Sequence, residues 1–102
     1  SSVSANDYFF VSAFNNIVGK HTGTGKYVDI TLDNLSTGTY NISASKGILF
    51  EYFDGTKAYT AVSGVVTISA KTGTLLSGNF TAAINSGTLS SVSGQFNDVP
   101  EK

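Results

Sequence analysis

Apolar and polar residues alternate along most of the chain, and no stretch repeats at the helical period. The alternation predicts an all-β domain of seven strands, at about 7–18, 26–34, 39–45, 47–53, 57–70, 74–84 and 88–98. Gly19-Lys20-His21-Thr22-Gly23-Thr24-Gly25 reads as a flexible loop between the first two. Ser36-Thr37-Gly38, Ser45-Lys46-Gly47, Lys71-Thr72-Gly73 and Asn85-Ser86-Gly87 have the form of three-residue hairpin loops ending in Gly, the residue that takes φ > 0 without steric cost. Asp54-Gly55 marks the remaining turn.

Three-residue loops constrain the faces. Opposed residue numbers in an antiparallel pair have a constant sum, and an odd loop makes that sum even, so even positions stay on one side through every turn. Val28, Ile30, Leu32, Tyr40, Ile42, Ala44, Ile48, Phe50, Tyr52, Val62, Val66, Ile68, Ala70, Leu76, Phe80, Ala82, Ile84, Val92 and Phe96 then form the core. A two-residue turn at Asp54-Gly55 would put Glu51 on the same face as Val62, so a three-residue loop, Asp54-Gly55-Thr56, is expected.

One phrase, Ser-Gly-x-apolar-polar, occurs at Ser63–Thr67, Ser77–Thr81 and Ser93–Asn97, the copies 14 and 16 residues apart. The loop arithmetic sets Gly64 opposite Phe80, Val66 opposite Gly78, Gly78 opposite Gly94, and Phe80 opposite Val92. Inward glycines on three neighbouring strands serve sheet curvature, with aromatic rings covering the gaps. The sharper alternative is floor space for a ligand.

Composition narrows the function. At 102 residues the chain suits one domain, expected over 7–98, with a linker at 1–6 and a tail at 99–102. Charged residues make up 13%, about half the usual ~25%. Six scattered Lys, no Arg and a net charge of −1 leave no footprint for a nucleic-acid backbone. Cysteine is absent, which removes thiol chemistry and Cys-ligated zinc. The abundance of Ser, Thr, Gly and Asn with a single Pro suits an extracytoplasmic β domain.

Gly38-Thr39-Tyr40, Tyr59-Thr60, Ser63-Gly64-Val65-Val66-Thr67-Ile68, Ser77-Gly78-Asn79-Phe80-Thr81-Ala82 and Gly94-Gln95-Phe96 carry a further signal. Over about 26–98 the chain resembles a family of small Bacteroidetes-type secreted lipoproteins of unknown function, all-β domains of lipocalin-like meander. The resemblance implies an envelope location, with membrane tethering through an N-terminal lipid anchor, and supplies no catalytic residues. The chain departs from the family pattern in having neither its Trp nor its lipid-bearing Cys.

Candidate chemistry is sparse. Lys20–Lys26 is not a phosphate-binding loop: its spacing is wrong, Tyr27 stands where Ser or Thr is needed, and a strand follows instead of a helix. His21 is the only His, so a metal site built on it would need carboxylates from elsewhere. Asp29 and Glu51 face outward but are expected opposite Ser45 and Asn41 rather than each other, which leaves them as solvated acids and not a glycosidase pair. The sequons at Asn34, Asn41 and Asn79 read as chance in a chain of this composition. No catalytic, cofactor-binding or metal-ligating set is expected.

The odd-numbered face of the last three strands is neutral and rich in hydroxyls and amides. Ser77, Asn79, Thr81, Ser91, Ser93 and Gln95 on it are the candidate binding residues. Such a face suits a glycan or protein partner, and is also how a solvated β surface looks. Phe9, Val11, Ala13, Leu49, Phe53, Tyr59, Ala61 and Val65 on the odd face elsewhere form either an exposed patch or a second small core.

The expected fold is an antiparallel up-and-down meander closing into a small barrel or rolled sheet, with an open two-layer β-sandwich as the alternative. The expected function is a non-catalytic envelope or extracellular binding module for a glycan or protein. The alternative is a lipocalin-like carrier of a small apolar ligand in the barrel interior.

Overall fold

The computed structural model describes residues 2–3, 8–84 and 89–101, without the side chains of residues 2, 3 and 44. The expected Asn85-Ser86-Gly87 turn lies outside the described residues, as does most of the expected linker. In chain order the strands are β1 (Ser2–Val3), β2 (Tyr8–Ala13), β3 (Asn16–His21), β4 (Tyr27–Thr31), β5 (Gly38–Asn41), β6 (Leu49–Phe53), β7 (Ala58–Thr60), β8 (Ser63–Thr72), β9 (Leu75–Ala83) and β10 (Ser91–Pro100). Nine of them pair antiparallel in two sheets, β2-β3-β4-β6-β7 and β10-β9-β8-β5, and the β1 stub runs parallel beside β10. The sheets share one core: the Phe10 and Phe96 ring centroids are 5.8 Å apart and those of Phe50 and Phe80 5.2 Å.

No barrel closes. β2 and β7 are the edges of one sheet, and β5 and β1 those of the other, an arrangement consistent with a two-layer sandwich. The meander fails at β5. After β4 the chain buries Leu32 and Leu35 and turns on Asn34, whose Oδ1 accepts the Ser36 N–H at 2.9 Å and the Tyr40 hydroxyl at 2.7 Å. That turn carries β5 across to pair with β8, and β6 returns to lie against β4.

The even-face rule holds over most of the chain, although several loops differ from expectation. The strand expected over 7–18 is the β2–β3 hairpin, turning at Phe14-Asn15, and Gly19, Lys20 and His21 belong to β3 rather than to a loop. Phe14 takes φ 56°, a conformation where Gly is usual. The two-residue turn flips the parity, so β2 buries Tyr8, Phe10 and Ser12 while β3 buries Ile17. The β3–β4 register flips it back.

A second offset pair of flips follows β6. The expected loop of three residues is one of four, 54–57, in which the Asp54 carboxylate accepts the Thr56 and Lys57 N–H groups at 2.8 and 2.7 Å. Tyr59 and Ala61 therefore turn toward the core, and Val62, expected inside, is 63% exposed. Neighbouring residues then bond to opposite sheets, the Ala61 N–H to the Phe50 carbonyl and the Val62 N–H to that of Ala83. This bend ends the strand expected over 57–70 and restores even parity in β8.

The β8–β9 turn is Gly73-Thr74, not Lys71-Thr72-Gly73, and a bulge at Ser69 compensates, leaving Ala70 exposed. Registers of both the β8–β9 and the β9–β10 pairs differ by two from expectation: Gly64 opposes Ala82, Val66 opposes Phe80, Gly94 opposes Phe80, and Gly78 lies between Ile68 and Phe96. No two of these glycines face each other. A second bulge, at Asn97–Asp98 of β10, also lies against Ser77. β10 then runs to Pro100, beyond the expected boundary at 98; Val99 is buried, and Glu101 holds Lys71 at 2.8 Å.

No second core forms from the odd-face apolar residues. Phe9, Ala13, Leu49 and Val65 are exposed, Val11 and Phe53 are half-buried, and Tyr59 and Ala61 join the main core.

Candidate functional site

All six candidate residues lie on the outer face of the β10-β9-β8-β5 sheet. Asn79 opposes Gln95 and Thr81 opposes Ser93, with Ser91 opposite Ala83. Thr67, Val65 and Thr39 extend the same face over β8 and β5, which keeps it uncharged. Ser77 also serves the fold. Its hydroxyl accepts the Asp98 N–H at 3.0 Å, and its carbonyl accepts the Ser69 hydroxyl at 3.2 Å, so it holds the bulges on both sides.

The other sheet carries an arrangement that the expected registers did not show. Because β5 leaves, β4 lies directly against β6, and Asp29 opposes Glu51. Opposed residues on one face hold their Cβ atoms about 4.5–5.5 Å apart, and like charges so placed are unfavourable unless other groups satisfy them. Asn16 on β3 places its Nδ2 2.5 Å from Asp29 Oδ1 and 3.0 Å from the Ile30 carbonyl. The Tyr27 hydroxyl donates to Glu51 Oε1 at 3.2 Å. Each carboxylate is thus oriented by a neutral neighbour rather than by a cation.

One row along, the Tyr27 and Phe53 rings stack at 5.2 Å with planes 24° apart. On the far side of the Asp29–Glu51 pair from these rings, Asp29, Thr31, Leu49, Phe50, Glu51 and Thr60 line a shallow depression of about 220 Å³. This sheet face therefore carries, in successive rows, an aromatic stack, two fixed acceptors and a depression with two hydroxyls. Its residues were visible in the sequence, but the strand pairing that unites them was not.

The hydrogen bond to Glu51 raises the Tyr27 pKa above its ordinary 10.0, with desolvation and the Glu51 and Asp29 charges acting the same way. A raised folded pKa stabilises the fold fully below the unfolded value and loses that contribution as pH rises through the folded one. Phenolate absorbance should therefore show Tyr27 and the buried Tyr40 both titrating above 10.0, with only the Tyr27 component moving back toward 10.0 in Glu51→Gln. An unchanged titration curve would mean that the bond does not hold in solution.

His21 meets Tyr8 edge-on at 5.0 Å, and its Nδ1 lies 2.8 Å from Thr24 Oγ1. Among the described residues no group of three or more His, Cys, Asp or Glu side chains could hold a metal ion. Comparison of the chain with protein-family models, characterised proteins and solved structures finds no match.

Proposed function

We propose that this domain is a non-catalytic binding module of the cell envelope or extracellular space whose ligand is a glycan. The observation that carries the reading is the Tyr27–Phe53 stack beside the Asp29–Glu51 pair on an exposed sheet face. A sugar ring presents an apolar face to an aromatic wall and pairs of hydroxyls to fixed carboxylate acceptors, and both partners are in place here. The neutral Asn79, Thr81, Ser91, Ser93 and Gln95 face lacks an aromatic wall among its described residues, so the reading favours the five-stranded sheet. An envelope location agrees with the low charge, the abundance of Ser, Thr, Gly and Asn, and the resemblance carried by Gly38-Thr39-Tyr40 and the Ser-Gly phrases.

The non-catalytic reading is supported by the openness of the face. Glycosidase carboxyls flank the scissile bond, whereas Asp29 and Glu51 project side by side from neighbouring strands. The carrier alternative requires a barrel interior, and the space between these sheets holds Phe10, Phe50, Phe80 and Phe96.

Titration calorimetry with neutral polysaccharides tests the proposal. Saturable binding is expected, weakened up to about 10-fold in Tyr27→Ala through loss of the stacked ring, and by about 10-fold or more in Glu51→Gln through loss of a charged acceptor. Absence of saturable binding, or binding indifferent to both substitutions, would overturn it. Sugar hydrolysis abolished by Asp29→Ala would overturn the non-catalytic part.

A further inference from the structure

We infer that the ligand is an extended, uncharged glycan chain lying across the strands of the five-stranded sheet, with Phe9 as its distal stacking residue. The inference rests on the glycan reading above and adds the ligand's length, direction and charge.

The cross-strand register sets Phe9, Lys20, Tyr27 and Phe53 in one row on the outer face. Phe9 is 70% exposed on an edge strand, where it contributes little to the core. Neighbouring strands are ~4.8 Å apart, so Phe9 and Tyr27, two strands distant, are separated by about 10 Å, and the whole row spans about 14 Å. One strand step matches the advance of one sugar ring in an extended glycan. A chain with one ring over the Tyr27–Phe53 stack therefore brings a ring two units further on over Phe9. Lys20 is the residue between them in the row, and its apolar stem is available as a floor.

Charge selects within that class. Lys20 lies inside the aromatic row, while Asp29 and Glu51 occupy the adjacent one. The lysine disfavours an amine-bearing chain and the two carboxylates disfavour a uronate chain. An uncharged chain meets neither penalty, and its hydroxyls can both donate to the carboxylates and accept from Lys20.

Wild type and Phe9→Ala are compared by calorimetry against cello-, manno- and laminari-oligosaccharides from disaccharide to hexasaccharide, with chitosan and oligogalacturonate hexamers alongside. For at least one neutral series, wild-type affinity should rise with length to about the tetrasaccharide. Phe9→Ala should lose about 3- to 10-fold for the hexasaccharide and nothing for the disaccharide, with an unchanged melting temperature. Equal losses at both lengths, no loss at either, or tighter binding of a charged hexamer would overturn the inference while leaving glycan recognition standing. No saturable binding of any sugar would overturn both.

Discussion

Replacing Gly78 by Ala is expected to cost about 3 kcal/mol, near the upper end for overpacking, and to lower the melting temperature by roughly 12–24 °C in a domain of this size. Gly78 sits in the middle of β9, between Ile68 and Phe96. A Cβ there would stand 2.0 Å from the Thr67 carbonyl oxygen and 2.9 Å from Phe96 Cζ. The oxygen belongs to the backbone of β8 and cannot retreat without opening the ladder. Gly19→Ala is the informative comparison, because the three atoms nearest its Cβ would all belong to the Phe10 ring, the first at 2.4 Å, and a ring can turn where a backbone cannot. Urea unfolding should place Gly78→Ala well below Gly19→Ala in midpoint, with little change in slope. Equal losses would mean that ring cover, not backbone proximity, governs these strand glycines.

Phe80→Ala should cost still more, about 4 kcal/mol, within the range for truncating a buried Phe. The side chain is almost wholly buried and meets Phe50 of the facing sheet at 5.2 Å. Its cross-strand neighbours are Val66 and Gly94. Gly94 has no side chain to slide into the space left, so the cavity persists and collapse recovers little. Against a native stability of about 5–15 kcal/mol, such a loss leaves a marginal fold. Phe9→Ala, on the outer face, should change stability by no more than about 0.5 kcal/mol. If thermal unfolding gave Phe80→Ala a comparably small effect, the sheets would not pack through these rings.

What the sequence encodes clearly here is side, not neighbour. Alternation placed Val28, Ile30, Phe50, Phe80 and Phe96 inward, and all five are buried. It did so despite mistaken loops: at Phe80, for example, the Gly73-Thr74 turn flips the face and the Ser69 bulge flips it back, so the register ends two residues away while the ring stays inside. The turn at Phe14 was illegible because a bulky residue occupies a conformation that Gly usually announces. The departure of β5 was illegible for a different reason. Pairing Tyr40 with Val66 rather than with β4 is a long-range choice that strand periodicity does not carry. The same ignorance separated Asp29 from Glu51. Both were rightly placed outside, and their meeting depended wholly on which strand became the neighbour. The neutral face suffered least, since Asn79, Thr81, Ser93 and Gln95 lie on strands consecutive in the chain and joined as hairpin neighbours.

The repeated passage of the chain between its sheets has a consequence for how the domain comes apart. Segments 32–37 and 42–48 carry β5 out of one sheet and the chain back again, and Ala61 and Val62 are bonded one to each layer. The Ser12 hydroxyl donates to the Pro100 carbonyl, fastening the first hairpin to the last strand. The two layers are laced like a boot. Stripping away either one would pull β5 or the Ala61–Val62 bend out of the other, so the layers lose their structure together, in a single cooperative transition.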